Sequence, residues 1–438
     1  IHAFHGTIVT TESVRFIKNQ AKEGGGAMFF FKIDLIVSIT CQFLANKASQ
    51  WGGAAFVNAS YIILTTDSTF IKHFSKNGAA LFMKHCRNVT NLNVTFHNNT
   101  AENEGAALLL HQVLTANNTQ CKYLFNRVKF EGGAILAYKS GLIYNLNSLF
   151  TSNSGLRGGA FKLVQCDIVM NVNVTFVRNL ALGWIINKRG ERVTDGEGGA
   201  CFINSVKLIE QRGTLFRSNY ASVSGGALLI KHSGILRNSF LSFKNNSAKS
   251  GGAAQVEQCK HLLIFCCVLL ANKAKMHGGS LFVNSVNNSN IVQSKIFENK
   301  AKKSGGGLTF QGGNHVTIGQ SMLFKNKAEI GACIYIQHAM TVAFIYCSFL
   351  GNKAKSVGGA AKVVTEKIRS INCTFSENAA DSGGAMDIFE TKLVVINGCI
   401  FIHNIGQKSA AVISASQITS WVNTKNVFRS NHALDNAG

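Results

Sequence analysis

The stretch Phe375-Ser-Glu-Asn378-Ala-Ala380-Asp-Ser-Gly383-Gly384-Ala385 decides the fold, because its pattern recurs from one end of the chain to the other. An apolar aromatic residue is followed by Asn, Ala and a Gly-Gly-Ala triplet at fixed spacing. Other copies are Phe43, Asn46, Ala48, Gly52, Gly53, Ala54 and Phe216, Asn219, Ala221, Gly225, Gly226, Ala227. A fixed period means that each repeat is one structural unit stacked on the next.

A large apolar residue fills the Phe position in all sixteen repeats, at steps of 26 or 27 residues apart from one step of 40. These residues are Phe16, Phe43, Phe70, Phe96, Tyr123, Phe150, Phe176, Phe216, Phe243, Leu269, Ile296, Leu323, Phe349, Phe375, Phe401 and Phe428. Three residues later stands Asn, except in the repeat that has His73. The asparagines are Asn19, Asn46, Asn99, Asn126, Asn153, Asn179, Asn219, Asn246, Asn272, Asn299, Asn326, Asn352, Asn378, Asn404 and Asn431.

Runs of four to six Val, Ile, Phe, Thr and Ser residues, broken by Gly and Asn, are typical of short strands. Stacked units of this length form parallel β-helices whose coils lie about 4.8 Å apart. The sequence therefore predicts an all-β β-solenoid of about 16 coils of 26–27 residues without evident caps. We expect the Phe residues to stack inside it and the Asn residues to form a hydrogen-bonded amide ladder. The chain contains no proline, as expected where most backbone N–H groups donate to a neighbouring coil.

The organisation predicted from this period is a single continuous solenoid over residues 1–438. The long step reflects an inserted surface loop at 183–196 within one coil. Insertions in solenoids emerge on one face, often the binding face. A tolerated surface loop is the leading interpretation, and a contact site at Trp184 and the basic residues beside it is the alternative.

Neither end of the sequence has the atypical unit that caps a solenoid. If residue 438 of one copy were followed by residue 1 of another, the step from Phe428 to Phe16 would also be 26 residues. Two interpretations follow. The chain is a window of a longer repeat protein, or it associates with itself head to tail through open coil ends, as heterologous interfaces do.

The sequence has no apolar stretch long enough for a transmembrane helix, since the longest runs only from Leu262 to Ala271. We expect a secreted protein that is extracellular or on the cell surface. Nine Asn-x-Ser/Thr sequons are N-glycosylation candidates. They are Asn58, Asn88, Asn93, Asn98, Asn117, Asn173, Asn245, Asn287 and Asn372.

The twelve cysteines form no metal-binding or redox motif. Six of them share one column, two residues before the Phe position, where a buried thiol behaves as a small hydrophobic group. Inter-coil disulfides among Cys347, Cys373 and Cys399 are the alternative, because these residues lie on adjacent coils.

The strongest surface signal is charge: the formal net charge is +23. Lysines repeat at two positions just after the ladder Asn. They are Lys249, Lys273, Lys275, Lys300, Lys302, Lys327, Lys353 and Lys355. Ammonium groups stacked at coil spacing favour a polyanion, in the first place an acidic polysaccharide. A solvated, solubilising face is the leading interpretation of these lysines, and a polyanion-binding face is the alternative. Nucleic acid is the weaker ligand because no aromatic residues interleave with the lysines.

Polysaccharide-cleaving enzymes need clustered carboxylates as an acid/base pair or a Ca²⁺ site. No two aspartates share an outward column on adjacent coils. The aspartates are Asp34, Asp67, Asp167, Asp195, Asp381, Asp387 and Asp435. The sequence thus predicts no enzyme and no catalytic, cofactor-binding or metal-binding residues, and a polysaccharide-active enzyme is the weakest alternative.

The paired motifs resemble the G-G-A-[ILV] and F-x-x-N repeats of the polymorphic outer membrane proteins. Matching residues are Gly133-Ala134-Ile135, Gly226-Ala227-Leu228 and Phe349 with Asn352. The resemblance covers essentially the whole chain. It implies a right-handed parallel β-helix displayed at a cell surface, which in that family works in adhesion, and its motif residues are structural.

These observations lead to one expectation about function and one alternative. We expect an extracellular, glycosylated structural β-solenoid that assembles head to tail into a filament or forms a segment of a longer surface rod. The alternative is a cell-surface adhesin that binds acidic glycans through its lysines or through the 183–196 loop.

Overall fold

The computed structural model describes residues 1–186 and 192–434, with backbone alone at Trp184–Ile186 and Arg192–Thr194. Within these residues all regular structure is β-strand, wound into a parallel β-solenoid of about 16 turns as the repeat predicts. Two compact units are present. Unit 1 is Ile1–Val223 with Ala227–Leu229, and unit 2 is Ser224–Gly226 with Ile230–Gly438. The single continuous domain over 1–438 stays a prediction.

Each coil of unit 1 contributes strands to three parallel sheets. Sheet 1 contains His2–Glu12, Met28–Ile39, Ala55–Asn58, Ile62–Thr66, Leu81–Lys84, Asn88–Leu92, Leu108–His111, Thr115–Thr119, Ile135–Tyr138, Leu142–Leu146, Phe161–Val164, Ile168–Val172, Cys201–Asn204 and Leu208–Arg212. Sheet 2 contains Arg15–Ile17, Gln42–Leu44, Thr69–Ile71, Thr95–His97, Lys122–Leu124, Leu149–Thr151, Thr175–Val177 and Leu215–Arg217. Sheet 3 contains Gln20–Ala21, Lys47–Ala48, Phe74–Asn77, Thr100–Glu104, Arg127–Val128, Ser154–Gly155, Leu180–Ala181 and Tyr220–Ala221.

Unit 2 repeats this arrangement, and the strand Leu228–Lys231 has residues of both units. Its sheet 1 contains Ile235–Ser239, Ala254–Glu257, His261–Phe265, Leu281–Asn284, Asn288–Val292, Leu308–Gln311, His315–Gly319, Ile334–Ile345, Ala361–Ile371, Met386–Asn397 and Ile413–Thr424. Sheet 2 contains Ser242–Lys244, Val268–Leu270, Lys295–Phe297, Met322–Phe324, Ser348–Leu350, Thr374–Ser376, Ile400–Ile402 and Val427–Arg429. Sheet 3 contains Ser247–Ala248, Lys273–Ala274, Lys300–Ala301, Lys327–Ile330, Lys353–Val357, Ala379–Ala380, Ile405–Gly406 and His432–Ala433.

Between the first and last coils, the apolar column at the Phe position lies in the core, as predicted, whereas Phe16 is partly buried and Phe428 is exposed. In unit 1 the rings stack almost in parallel from Phe16 to Phe216, with centroids 4.4 to 5.1 Å apart. In unit 2 the stack runs from Phe349 to Phe428. Stacking one repeat on the next therefore forms an apolar column that is aromatic in unit 1 and in the last four coils of unit 2.

The predicted Asn ladder is also present. The Oδ1 of Asn126 accepts the backbone N–H of Asn99 at 3.1 Å and its side-chain N–H at 2.9 Å. The Nδ2 of Asn99 donates in addition to the carbonyl of Phe70 in the preceding coil, at 3.1 Å. The same three bonds recur in unit 2, for example at Asn299. Each amide is thus fully paired at a buried corner, where an unpaired polar group would be costly.

The Gly pair turns the chain between sheets 3 and 1. Gly278 has a φ of +61°, which L side chains rarely adopt. A Cβ on Gly279 would lie 2.0 Å from the carbonyl oxygen of Gly306 in the next coil. The first glycine is therefore needed for its conformation and the second for close backbone approach.

Candidate functional site

The lysine face is the set of eight lysines predicted from the sequence, and all eight are exposed on unit 2. In sheet 3, Lys273 pairs in register with Lys300 and Lys300 with Lys327. Lys327 pairs in turn with Lys353. Strand alternation points each Lys outward and buries the following Ala, because successive side chains of a strand face opposite sides. The structure therefore brings these four lysines into one outward row.

Two adjoining grooves flank this row, with volumes of about 830 and 850 Å³. Lys273, Lys300, Lys327 and Lys353 line both of them. The second groove has small alanine side chains on its floor and a second line of charged residues on its far side: Lys275, Lys302, Glu329 and Lys355. Lys249 is exposed nearby in the chain but is not among the lining residues.

The first groove adds a cation that the sequence pattern missed. Lys325 precedes the ladder residue Asn326 and lines the groove together with Glu298, Glu377 and His403. Across both grooves, eight lysines face three glutamates. Within residues 1–186 and 192–434, none of the lysines of the lysine face forms an ion pair. The row therefore presents a net positive charge along four consecutive coils.

Six of the nine sequon asparagines are exposed: Asn93, Asn98, Asn173, Asn245, Asn287 and Asn372. The remaining three, Asn58, Asn88 and Asn117, are partly buried in strands of sheet 1. Asn93, Asn173 and Asn372 stand at chain corners with φ values near +50°. Asn tolerates this conformation better than most residues do. The structure thus leaves the side chains of these corner asparagines accessible.

All twelve cysteines are free, and only Cys266 is not buried. The backbone N–H of Cys347 donates to the Sγ of Cys373 at 3.4 Å, and the N–H of Cys373 donates to the Sγ of Cys399 at the same distance. The hydrogen bond to Cys347 and then burial raise the pKa of Cys373 to about 12. A thiol held neutral in this way is a poor nucleophile. The inter-coil disulfide stays a prediction.

The inserted loop of 183–196 forms a two-stranded antiparallel hairpin, in which Trp184–Ile186 pairs with Arg192–Thr194. The structure describes only the backbone of these two strands, and Lys188 and Arg189 lie outside the described residues. The predicted contact site at this loop therefore stays a prediction.

The sequence pattern missed a cluster of carboxylates at the base of this hairpin. The guanidinium of Arg157 lies 2.6 Å from the carboxylate of Asp195, 3.6 Å from that of Glu197 and 3.7 Å from that of Glu131. Lys162 lies 2.5 Å from Glu131. Aspartates, the only carboxylates considered in the sequence, do not share a repeat position on adjacent coils. The position just before the Gly pair is occupied on successive coils by Glu104, Glu131, Arg157 and Glu197. Tabulating glutamates at that position would have revealed the cluster.

Among the described residues, no group of three or more His, Cys, Asp or Glu side chains is placed to hold a metal ion. No helix in the described part of the chain has the length and hydrophobicity to cross a bilayer. Comparison with known proteins gives no further guide, since no protein-family model and no curated protein matches the chain.

Proposed function

We propose that this protein is an extracellular β-solenoid that binds an acidic polysaccharide through the lysine face. The observation that carries the proposal is the row of Lys273, Lys300, Lys327 and Lys353 between two grooves, without ion pairs among the described residues. Regularly spaced cations in a groove raise the local concentration of a polyanion and steer its approach. A linear polymer with repeating anionic groups can pair with several lysines at once.

The lining of the grooves favours a polysaccharide over nucleic acid. Proteins that bind single-stranded nucleic acid without sequence preference stack bases on aromatic side chains. Among the described residues that line the two grooves, the imidazole of His403 is the only ring. Aliphatic stems and ammonium groups suit carboxylated or sulfated sugars, which need charge rather than a stacking surface.

The extracellular location and glycosylation belong to the same proposal. Six exposed sequons support them, and five of these asparagines, all except Asn287, have the left-handed φ values of chain corners. The resemblance to the repeats of the polymorphic outer membrane proteins adds support for display at a cell surface. We include no catalytic step in this proposal.

The test compares two triple variants with the same net charge. Lys300→Gln/Lys327→Gln/Lys353→Gln removes the centre of the row, and Lys18→Gln/Lys72→Gln/Lys122→Gln removes three exposed lysines of unit 1. Both lower the formal charge from +23 by three. We expect the first variant to bind heparin and polygalacturonate about tenfold or more weakly, and the second to bind like the wild type.

Binding is measured by surface plasmon resonance, with uncharged dextran as the negative probe. Equal loss in both triple variants would mean that total charge, rather than the lysine face, attracts the polymer. Wild-type protein that binds neither polyanion would refute the proposal altogether.

Head-to-tail self-association stays a second proposal, which rests on the repeat register in the sequence. Sedimentation velocity over a concentration series tests it, because end-to-end association produces a ladder of oligomers. A single species at all concentrations would count against it.

A further inference from the structure

Unit 1 contains a narrow groove of about 350 Å³ that the proposed function does not use; we call it the unit 1 groove. Its floor is formed by Phe82, Leu109 and Leu136, which belong to an apolar cluster that continues beyond the groove to Phe56 and Phe29. These side chains come from consecutive coils and pair in register. Lys162 follows Leu136 in the same register and ends the apolar floor.

One wall of the groove carries two carboxylates. Glu104 and Glu131 lie on adjacent coils, and their backbones pair in a parallel β-bridge. Glu131 is paired with Lys162, whereas Glu104 forms no ion pair within the described residues. Burial, and then the like charge of Glu131, raise the pKa of Glu104. The Glu104 carboxylate is therefore a partly desolvated acceptor that forms no ion pair with the residues that the structure describes.

The opposite wall is aromatic and basic. The rings of His111 and Tyr138 stack with centroids 5.5 Å apart and planes 22° apart. Burial, and then the charges of Lys84, His85 and Lys139, lower the pKa of His111, so that its ring is neutral near pH 7. Its Nδ1 is buried and has no hydrogen-bond partner among the described residues. This wall thus offers a stacking surface and a free polar atom.

We propose that the unit 1 groove binds an uncharged saccharide. The groove carries charges of both signs, the carboxylates of Glu104 and Glu131 and the ammonium group of Lys162, so that a ligand of either single charge meets repulsion there. A neutral sugar has hydroxyl groups that donate to the Glu104 carboxylate and pair with the imidazole of His111, and a C–H face that packs on Tyr138. The floor side chains are at most 8 % exposed, so the ligand contacts chiefly the two walls.

The spacing of equivalent positions along the groove matches that of a polymeric ligand. The residues that line the groove come from four consecutive coils at about 4.8 Å per coil. One residue of an extended β-linked polysaccharide advances by a similar distance, so that successive sugars would meet equivalent positions. The site is separate from the lysine face, which lies on unit 2.

The test is isothermal titration calorimetry of the full chain with cellotetraose, mannotetraose and N-acetylchitotetraose. We expect at least one of these to bind. Glu104→Gln should weaken that binding about tenfold, because it replaces a charged hydrogen-bond acceptor with a neutral one. Tyr138→Ala, which removes the stacking surface, should weaken it by a similar factor.

Matched controls come from the same coils. Glu102→Gln changes an exposed carboxylate and Tyr144→Ala a partly exposed ring, and neither residue lines the groove. Both should bind like the wild type, and melting temperatures confirm that all four variants fold. The lysine triple variant should keep neutral-sugar binding, which separates this inference from the proposed function.

Three results would overturn the inference. The first is the absence of binding by all three neutral sugars at millimolar concentration. The second is equal weakening in the groove variants and their controls. The third is tighter, Glu104-dependent binding of cationic tetraglucosamine or anionic tetragalacturonate, which would assign the groove to a charged ligand.

Discussion

His73 interrupts the Asn ladder of unit 1 between Asn46 and Asn99. The Nδ1 of His73 accepts the backbone N–H of Asn46 at 3.1 Å, and the His73 backbone N–H donates to Asn99 Oδ1 at 3.0 Å. Its Nε2 is buried without a partner in the described residues. Burial outweighs these hydrogen bonds and lowers the pKa of His73 to about 4. The imidazole thus fills the Asn position only in its neutral form.

This lowered pKa makes the stability of the protein depend on pH. The unfolded chain binds a proton at His73 near pH 6.5 and the folded chain only near pH 4. The stabilising contribution is complete above pH 6.5 and is lost as the pH falls towards 4. Between pH 7.5 and pH 5 the expected loss is about 2 kcal/mol.

His73→Asn should remove this loss and restore the ladder. Urea unfolding at pH 7.5 and pH 5 should give a smaller pH-dependent change in the free energy of unfolding for the variant than for the wild type. His261→Asn, at an exposed strand position, is the control and should behave like the wild type. An unchanged pH dependence in His73→Asn would show that the His73 ring is not neutral in the folded protein.

Other residue-scale features were missed in the sequence. A second ladder of buried amides joins Asn91, Asn118, Asn145 and Asn171 through 2.8 to 3.0 Å hydrogen bonds. These asparagines recur five residues before the Phe position, so that tabulating that position would have revealed them. Left-handed φ values recur at the chain corners even in Lys325, Glu298 and Phe125. Local preference would assign such positions to Gly or Asn. Stacking of the coils imposes the corners, so that local propensity does not reveal them.

At the scale of strands and loops, Arg157 ties the inserted hairpin to the solenoid. Its guanidinium bridges Asp195, which follows the hairpin, and Glu131 on the preceding coil. Asp195 is 9 % exposed, so removal of Arg157 leaves a buried carboxylate without its cation. We therefore expect Arg157→Ala to loosen the hairpin.

Limited trypsin digestion measures this effect, since the sequence of 183–196 contains Lys188, Arg189 and Arg192. Cleavage within this segment should be several-fold faster in Arg157→Ala than in the wild type. Arg212→Ala removes an exposed arginine of sheet 1 and should leave the rate unchanged. Equal rates in all three proteins would mean that the ion pairs of Arg157 do not restrain the hairpin.

The elements also show why the lysine face was predictable and the unit 1 groove was not. Lys273, Lys300, Lys327 and Lys353 recur at one position of the repeat, and residues at one position stack in register. The groove joins Glu104 of sheet 3 to His111 and Tyr138 of sheet 1. Its walls meet only after the Gly corner folds one sheet against the next, which a period does not specify.

On the scale of the whole molecule, a charge of +23 would attract polyanions even without a defined site. The dependence of binding on salt concentration distinguishes attraction by net charge from binding at the lysine face. A defined row of lysines releases the counterions of the groups that it neutralises, so that log K falls linearly with log salt concentration. Diffuse attraction by net charge is shared by every lysine on the surface.

We therefore expect the slope of log K against log salt concentration for heparin to become less negative by about three in Lys300→Gln/Lys327→Gln/Lys353→Gln, about one for each ammonium group that no longer pairs with the polymer. The slope for Lys18→Gln/Lys72→Gln/Lys122→Gln should stay close to that of the wild type. Plasmon resonance between about 50 and 200 mM salt gives these slopes directly. Since both variants have the same net charge, equal slopes would assign heparin binding to the molecule as a whole, and unequal slopes would assign it to the four coils that carry the row.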